Sequence, residues 1–252
     1  MTASLLGACA PARPRSLVLV SVDTLRADHV GAYGGKLGST PSMDSLAKDG
    51  VLFEDCSSAA PITGPAHATL LSGLYPPDHG VRSNGFHLAA SVTTLAEMLS
   101  GRGFRTGAVI GGFPLDRRFG FDQGFGSFDD ALGPPAGGNG EPERPARAVA
   151  DAALAWLDAV PVDQPFFLFV HFYDPHADYR PPMDLARLPP YDGEIASVDR
   201  ELGRILTRLR ERGLDRSTAV ILGRRPRRVS RRARRGHARH LSSIRRRCAS
   251  PS

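Results

Sequence analysis

Asp23, Thr63, Asp174 and the histidines His67 and His176 are the residues whose types and settings suit catalysis. Asp23 closes the run Leu17-Val18-Leu19-Val20-Ser21-Val22. Such a run suits a buried parallel strand, which would deliver the carboxylate to the carboxyl edge of an α/β sheet. A carboxylate there fits a hard or borderline divalent cation; its simpler role is a cap on the next helix. About forty residues on, Thr63-Gly64-Pro65 stands at the mouth of residues 66–71, whose small and apolar side chains suit a helix. Proline is tolerated in that first turn because the position needs no donor. Thr63 would present its hydroxyl at the positive end of a helix dipole, where a phosphoryl or sulfuryl group is stabilised, or would serve only as the N-cap. His67 lies one turn further along the same face. Asp174-Pro175-His176 follows the apolar run of residues 166–170, which puts both polar side chains at another strand's carboxyl end.

In order along the chain stand Asp23-Thr24-Leu25-Arg26-Ala27-Asp28, Gly31-Ala32-Tyr33-Gly34, Thr40-Pro41-Ser42-Met43-Asp44, Thr63-Gly64-Pro65-Ala66-His67, Leu71-Ser72-Gly73-Leu74-Tyr75-Pro76, His79-Gly80-Val81 and Pro165 through His176. Together they resemble the sulfatase family of the alkaline-phosphatase-like superfamily, over residues 16–222. The resemblance implies an α/β fold, a largely parallel sheet with helices on both faces. It implies a metal-dependent hydrolase of sulfate, phosphate or phosphonate esters acting on a small anionic substrate. Thr63 would be the nucleophile, His67 and His176 would steady the ester oxygens, and Asp23, Thr63 and Asp174 would hold a divalent ion, calcium, zinc or manganese.

The chain also departs from that pattern. Thr63 stands where formylglycine sulfatases carry Cys or Ser, and His67 where they carry Arg. Asp23-Thr24 replaces a pair of aspartates, and no Gly-Lys-x-His stretch occurs near residues 106–112. Thr is the nucleophile of the related nucleotide pyrophosphatases and phosphoethanolamine transferases. A phosphodiesterase or phosphonate monoester hydrolase is therefore the alternative activity. A phosphoethanolamine-type transferase would be expected to bring membrane helices.

The composition breaks at residue 223. Residues 223–252 hold twelve Arg and no Asp or Glu, so the rest of the chain carries 20 Lys and Arg against 26 Asp and Glu. The overall charge of +6 thus belongs to the tail, while the body is acidic. A basic tail invites a nucleic-acid reading, but it lacks aromatic platforms and nothing in the body supports one, so no nucleic-acid partner is expected. Arg codons of the CGN type read one base later begin with G. In that frame residues 223 onward are compatible with an Asp-His-Gly motif, which resembles the family's second metal motif. The expectation is a chain that leaves its ancestral frame near residue 223, with a disordered tail, an incomplete metal site and no turnover: a non-catalytic remnant.

A body of this length, 41% apolar in the whole chain, supports one domain, residues 16–222. No run reaches the roughly twenty apolar residues of a membrane span, so no transmembrane helix is expected. Three cysteines far apart indicate neither a disulfide framework nor a zinc cluster. Leu6-Gly7-Ala8-Cys9 resembles a bacterial lipobox, and residues 1–15 then read as a clipped lipoprotein signal and tether, with a lipid anchor at Cys9. That places the protein in the periplasm or on a membrane if the start lies upstream, and otherwise in the cytoplasm.

The supporting elements follow from periodicity. Helices are expected over residues 40–50, capped by Ser42 or Asp44, and over 93–103, 146–160 and 191–212, the last with Asp199 and Glu201 solvated. Strands are expected over 51–53, 106–110, 166–170 and 217–222, with His171 in the core. Residues 116–130 read as a loop packed by phenylalanines.

Overall fold

The computed structural model describes residues 14–37, 39–134 and 140–224. The expectations for Cys9 and for the tail beyond residue 224 lie outside the described residues. The elements are β1 (Ser16–Val22), α1 (Pro41–Asp49), α2 (Thr63–Ser72), α3 (Pro76–His79), α4 (Leu95–Ser100), β2 (Arg105–Ile110), β3 (Ser127–Asp129), α5 (Ala146–Asp158), β4 (Phe166–Phe172), α6 (Pro190–Glu211) and β5 (Thr218–Arg224).

Among the described residues five strands form one sheet in the order β3-β2-β4-β1-β5, every neighbouring pair parallel. Parallel strands need covered faces, and the alternation along β1 and β4 supplies both. Val18, Val20 and Val22 of β1, with Phe166, Leu168, Val170 and Phe172 of β4, pack against α5, α6 and Met43 of α1. Leu19, Phe167 and Phe169 face the other way, onto Ala68 and Leu71 of α2, Ala96 of α4 and the loop residues Leu115 and Phe121. Each fully buried Phe or Leu contributes about 1.5–3 kcal/mol relative to exposure, and four phenylalanines of β4 are fully buried. Gly107 of β2 is glycine because a Cβ there would meet the Trp156 ring at 2.2 Å.

Register decides what reaches the rim. Val22 is level with Phe172 of β4 and with Arg224 of β5. Asp23 and Tyr173 therefore leave the sheet side by side.

Three local expectations are corrected. Residues 51–53 form no strand; Val51 and Phe53 are largely exposed, because the apolar triplet has no neighbouring strand among the described residues and instead lines a cavity of about 500 Å³ beside β5. Asp199 and Glu201 are buried rather than solvated. Asp199 accepts the Ser42 and Met43 N–H groups at 2.9 and 2.8 Å and so caps α1 from α6, a service no α1 side chain performs. Glu201 pairs with Arg204 at 2.6 Å. Residues 127–129 of the phenylalanine loop add a short edge strand, β3.

Candidate active site

Asp23 and Thr63 meet. The Thr63 hydroxyl donates to Asp23 Oδ2 at 2.8 Å, and both residues are buried, at 3% and 0% exposure. The second Asp23 oxygen accepts the Thr24 N–H at 2.8 Å. Thr24 has φ +49°, a left-handed conformation that a β-branched residue rarely adopts and that costs about 1–3 kcal/mol. Its surroundings hold it: the Thr24 hydroxyl donates to the Pro175 carbonyl, and its own carbonyl accepts the Tyr191 hydroxyl at 2.8 Å. The turn after β1 is thereby fastened both to the turn after β4 and to α6.

Thr63 is the first helical residue of α2, not its cap; Ile62 takes that place. Pro65 has no N–H to satisfy, the Ala66 N–H closes on Ile62, and the Gly64 N–H donates to Asn84 Oδ1 at 2.8 Å. Asn84 is a site residue that sequence reasoning missed, since a turn residue twenty positions away carries no periodic signal.

His67 is buried with both ring nitrogens turned inward. Nδ1 lies 2.8 Å from the Thr63 carbonyl and Nε2 2.7 Å from the Ser21 hydroxyl. A carbonyl only accepts, so Nδ1 carries the hydrogen, and the Ser21 hydroxyl is the partner of Nε2. The ring also lies edge-on to His171, with centroids 4.8 Å apart. In this arrangement both His67 nitrogens face protein atoms, tying the nucleophile's turn to β1. Sequence reasoning missed Ser21; the signal that could have found it is a polar residue at the end of the α2-facing parity, after Leu17 and Leu19.

Asp174 is likewise engaged elsewhere. Its Oδ2 accepts the Ala146 N–H at 2.7 Å, capping α5, whose own N-cap, Pro145, makes no side-chain bond. Burial pushes its carboxyl up to about 6, the Ala146 bond opposes this, and Glu143 adds to it. Asp174 Oδ2 thus faces the start of α5. Nearby, Glu194 of α6 accepts the Arg180 N–H and is pushed up to about 8 by burial, with Asp174 and Glu143 adding repulsion.

His176 stays at the rim, half-buried. Nδ1 faces the Ala177 carbonyl at 3.0 Å, Nε2 lies 3.3 Å from the Tyr173 hydroxyl, and the two rings stack at 4.3 Å. His79 is structural: Nδ1 accepts the Val81 N–H, Nε2 lies 3.1 Å from the Thr69 hydroxyl, and burial holds its pKa below the ordinary value.

Asp23 and Thr63 are hard oxygen donors of the kind calcium or magnesium takes, yet such ions need about six to eight ligands. Among the described residues no group of three or more His, Cys, Asp or Glu side chains could hold a metal ion. The donor type fits a divalent cation; the donor number does not. No helix of the described residues is long and apolar enough to cross a membrane.

Similarity to known proteins agrees with this architecture. Residues 15–222 match the family model described as Sulfatase. Steryl-sulfatase of Mus musculus is 36% identical over 114 residues, covering 41% of this chain and 18% of that protein. Arylsulfatase A of Homo sapiens is 27% identical over 271 residues, covering 86% of this chain and 53% of that protein. The crystal structure of the phosphonate monoester hydrolase of Agrobacterium radiobacter superposes with a TM-score of 0.68 at 23% identity, covering 84% of this chain and 62% of that one. The chain spans about half the length of arylsulfatase A and less of steryl-sulfatase. With its parallel sheet covered by helices on both faces, its ordered motifs and a family match over residues 15–222, this chain belongs to the sulfatase family.

Proposed function

We propose that the chain carries the nucleophile-bearing part of a hydrolase of sulfate, phosphate or phosphonate esters, with Thr63 as the nucleophile. The observation that carries this reading is the buried hydrogen bond from Thr63 Oγ1 to Asp23 Oδ2 at the amino end of α2. Thr63 Oγ attacks sulfur or phosphorus, and its proton passes to Asp23. The bond from that atom to the leaving oxygen breaks, the leaving oxygen takes a proton from water, and the proton on Asp23 neutralises the hydroxide so formed. A second water then attacks the threonyl ester, giving one proton back to Thr63 Oγ and releasing sulfate, phosphate or phosphonate. The α2 dipole favours the negative charge of the ester. His67 and Asn84 hold the first turn of α2 in place, and His176 is the imidazole closest in kind to an ester-oxygen donor. A divalent cation would screen the anionic ester, and Asp23 and Thr63 would be two of its ligands, too few to hold it alone.

Threonine in place of an oxidisable thiol favours phosphodiesters and phosphonate monoesters over sulfates as substrates. The incomplete ligand set supports a second reading, in which this chain folds but does not turn over. Assays of the 252-residue protein and of a version with the reading frame shifted at codon 223, on aryl sulfate, aryl phosphodiester and aryl phosphonate monoester, separate the two. The expected outcome is turnover by the shifted version alone, abolished by Thr63→Ala, with a threonyl ester trapped at Thr63 by mass spectrometry. Turnover that survives Thr63→Ala sinks the nucleophile assignment; equal turnover by both versions sinks the second reading.

A further inference from the structure

We infer that Tyr173 is a positioning residue for His176, and that Gly112 is glycine in order to seat it; this rests on the ester-hydrolase reading above. β4 ends at Phe172, and Tyr173 is the next residue, 5% exposed, at the rim where Asp23 also emerges. Its ring lies directly on the backbone two residues past the end of β2: a Cβ at Gly112 would stand 2.4 Å from Tyr173 Cδ2 and 2.5 Å from Cγ. Contacts that short do not occur, so any side chain at position 112 displaces the ring. Gly111 is constrained in the same way, its Cβ position lying 2.7 Å from the His171 carbonyl and 2.9 Å from the Tyr173 nitrogen. The Gly111-Gly112 pair therefore lets the ends of β2 and β4 close together under the phenol.

On that seat the phenol stacks against His176, with centroids 4.3 Å apart and planes 18° from parallel. The imidazole is thus restrained through its π face by Tyr173 and through Nδ1 by the Ala177 carbonyl. Nε2 is the nitrogen left to meet a substrate, and it stands 3.3 Å from the Tyr173 hydroxyl. A phenol hydroxyl both donates and accepts, so it matches Nε2 with or without a hydrogen. The hydroxyl keeps the place that an anionic ester oxygen takes when it arrives. Aromatic stacking of this kind orders the ring before binding, which removes an ordering cost from the binding step.

The test uses the full 252-residue chain and the imidazole Cε1–H resonance of His176, assigned by its loss in His176→Asn. Tyr173→Phe keeps the stack and is expected to leave that resonance in its ring-current-shifted position. Tyr173→Leu and Gly112→Ala are expected to move it to the position of a solvated histidine. Gly126→Ala serves as a control, its nearest contact being 3.5 Å from the Thr106 carbonyl. Titration with inorganic phosphate and inorganic sulfate then reads the His176 shift: weakening by about three- to tenfold in Tyr173→Leu and Gly112→Ala, and retention within about twofold in Tyr173→Phe. An unmoved His176 resonance in Tyr173→Leu overturns the inference. So does a solvated position in Tyr173→Phe, the variant with least risk to folding. Resonances that follow the expected order while neither anion perturbs them leave Tyr173 as the support of His176 and overturn the ester-binding reading instead.

Discussion

The two faces of the central strands share one alternation and carry different chemistry. On the α5–α6 face, Val18, Val20, Val22, Phe166, Leu168, Val170 and Phe172 make an unbroken apolar layer. On the α2 face the same strands begin with Leu19, Phe167 and Phe169 and then turn polar toward the rim, with Ser21, His171 and the ring of His67 packed among them. The first face is a scaffold whose value lies in volume. The second gives up apolar burial at its carboxyl end in exchange for hydrogen bonds that fix one helical turn. Substitutions on the first should therefore cost stability in proportion to atoms removed, and on the second should cost little stability but misplace Thr63.

The largest effect is expected from Phe166→Ala on the scaffold face, which should lower unfolding free energy by about 3–5 kcal/mol in urea denaturation. A loss below about 1 kcal/mol would mean that this layer is not close-packed. Thr63→Ala leaves Asp23 Oδ2 buried without its hydroxyl donor and should cost about 1–3 kcal/mol, with loss of any ester cleavage. Ser21→Ala should cost only about 1 kcal/mol, yet shift the His67 resonances; stability and resonances that both stay unchanged would erase the distinction between the faces.

A pH dependence is expected as well, at the rim beside α6. Glu194 has its folded pKa raised from 4.5 to about 8, and Asp174 from 3.8 to about 6, both chiefly by burial. The folded state then binds more protons than the unfolded one between those values, so stability is greatest at low pH and falls as pH rises toward 8. Melting temperatures should decline from pH 5 to pH 8, and Glu194→Gln should flatten most of that slope. A slope equally steep in the variant would assign the titration to other groups.

Much of the scaffold was legible because long apolar runs and helical periods leave few alternatives. β1, β4, α2, α5 and α6 lie where those signals put them, with ends differing by a few residues. The pairing of Asp23 with Thr63 was legible from strand and helix ends converging on one rim. What escaped was set by partners remote in sequence. Asp199 looks like a surface residue until α1 is laid against α6, and Val51-Leu52-Phe53 looks like a strand until no neighbouring strand is found. The direction of His67 was hidden because position 67 shares a helix face with Thr63, while the ring's nitrogens are claimed by Ser21 and by the Thr63 carbonyl. Asn84 and Tyr173 act through contacts that no spacing announces.

The alignment of Val22 with Arg224 has a consequence for how such a protein can fail. The ladder between β1 and β5 runs unbroken from Ser16 with Thr218 to Val22 with Arg224, held by backbone bonds alone. Loss of the Asp23–Thr63 contact would leave each of those bonds in place. A chain of this kind can therefore lose reactivity while keeping its architecture.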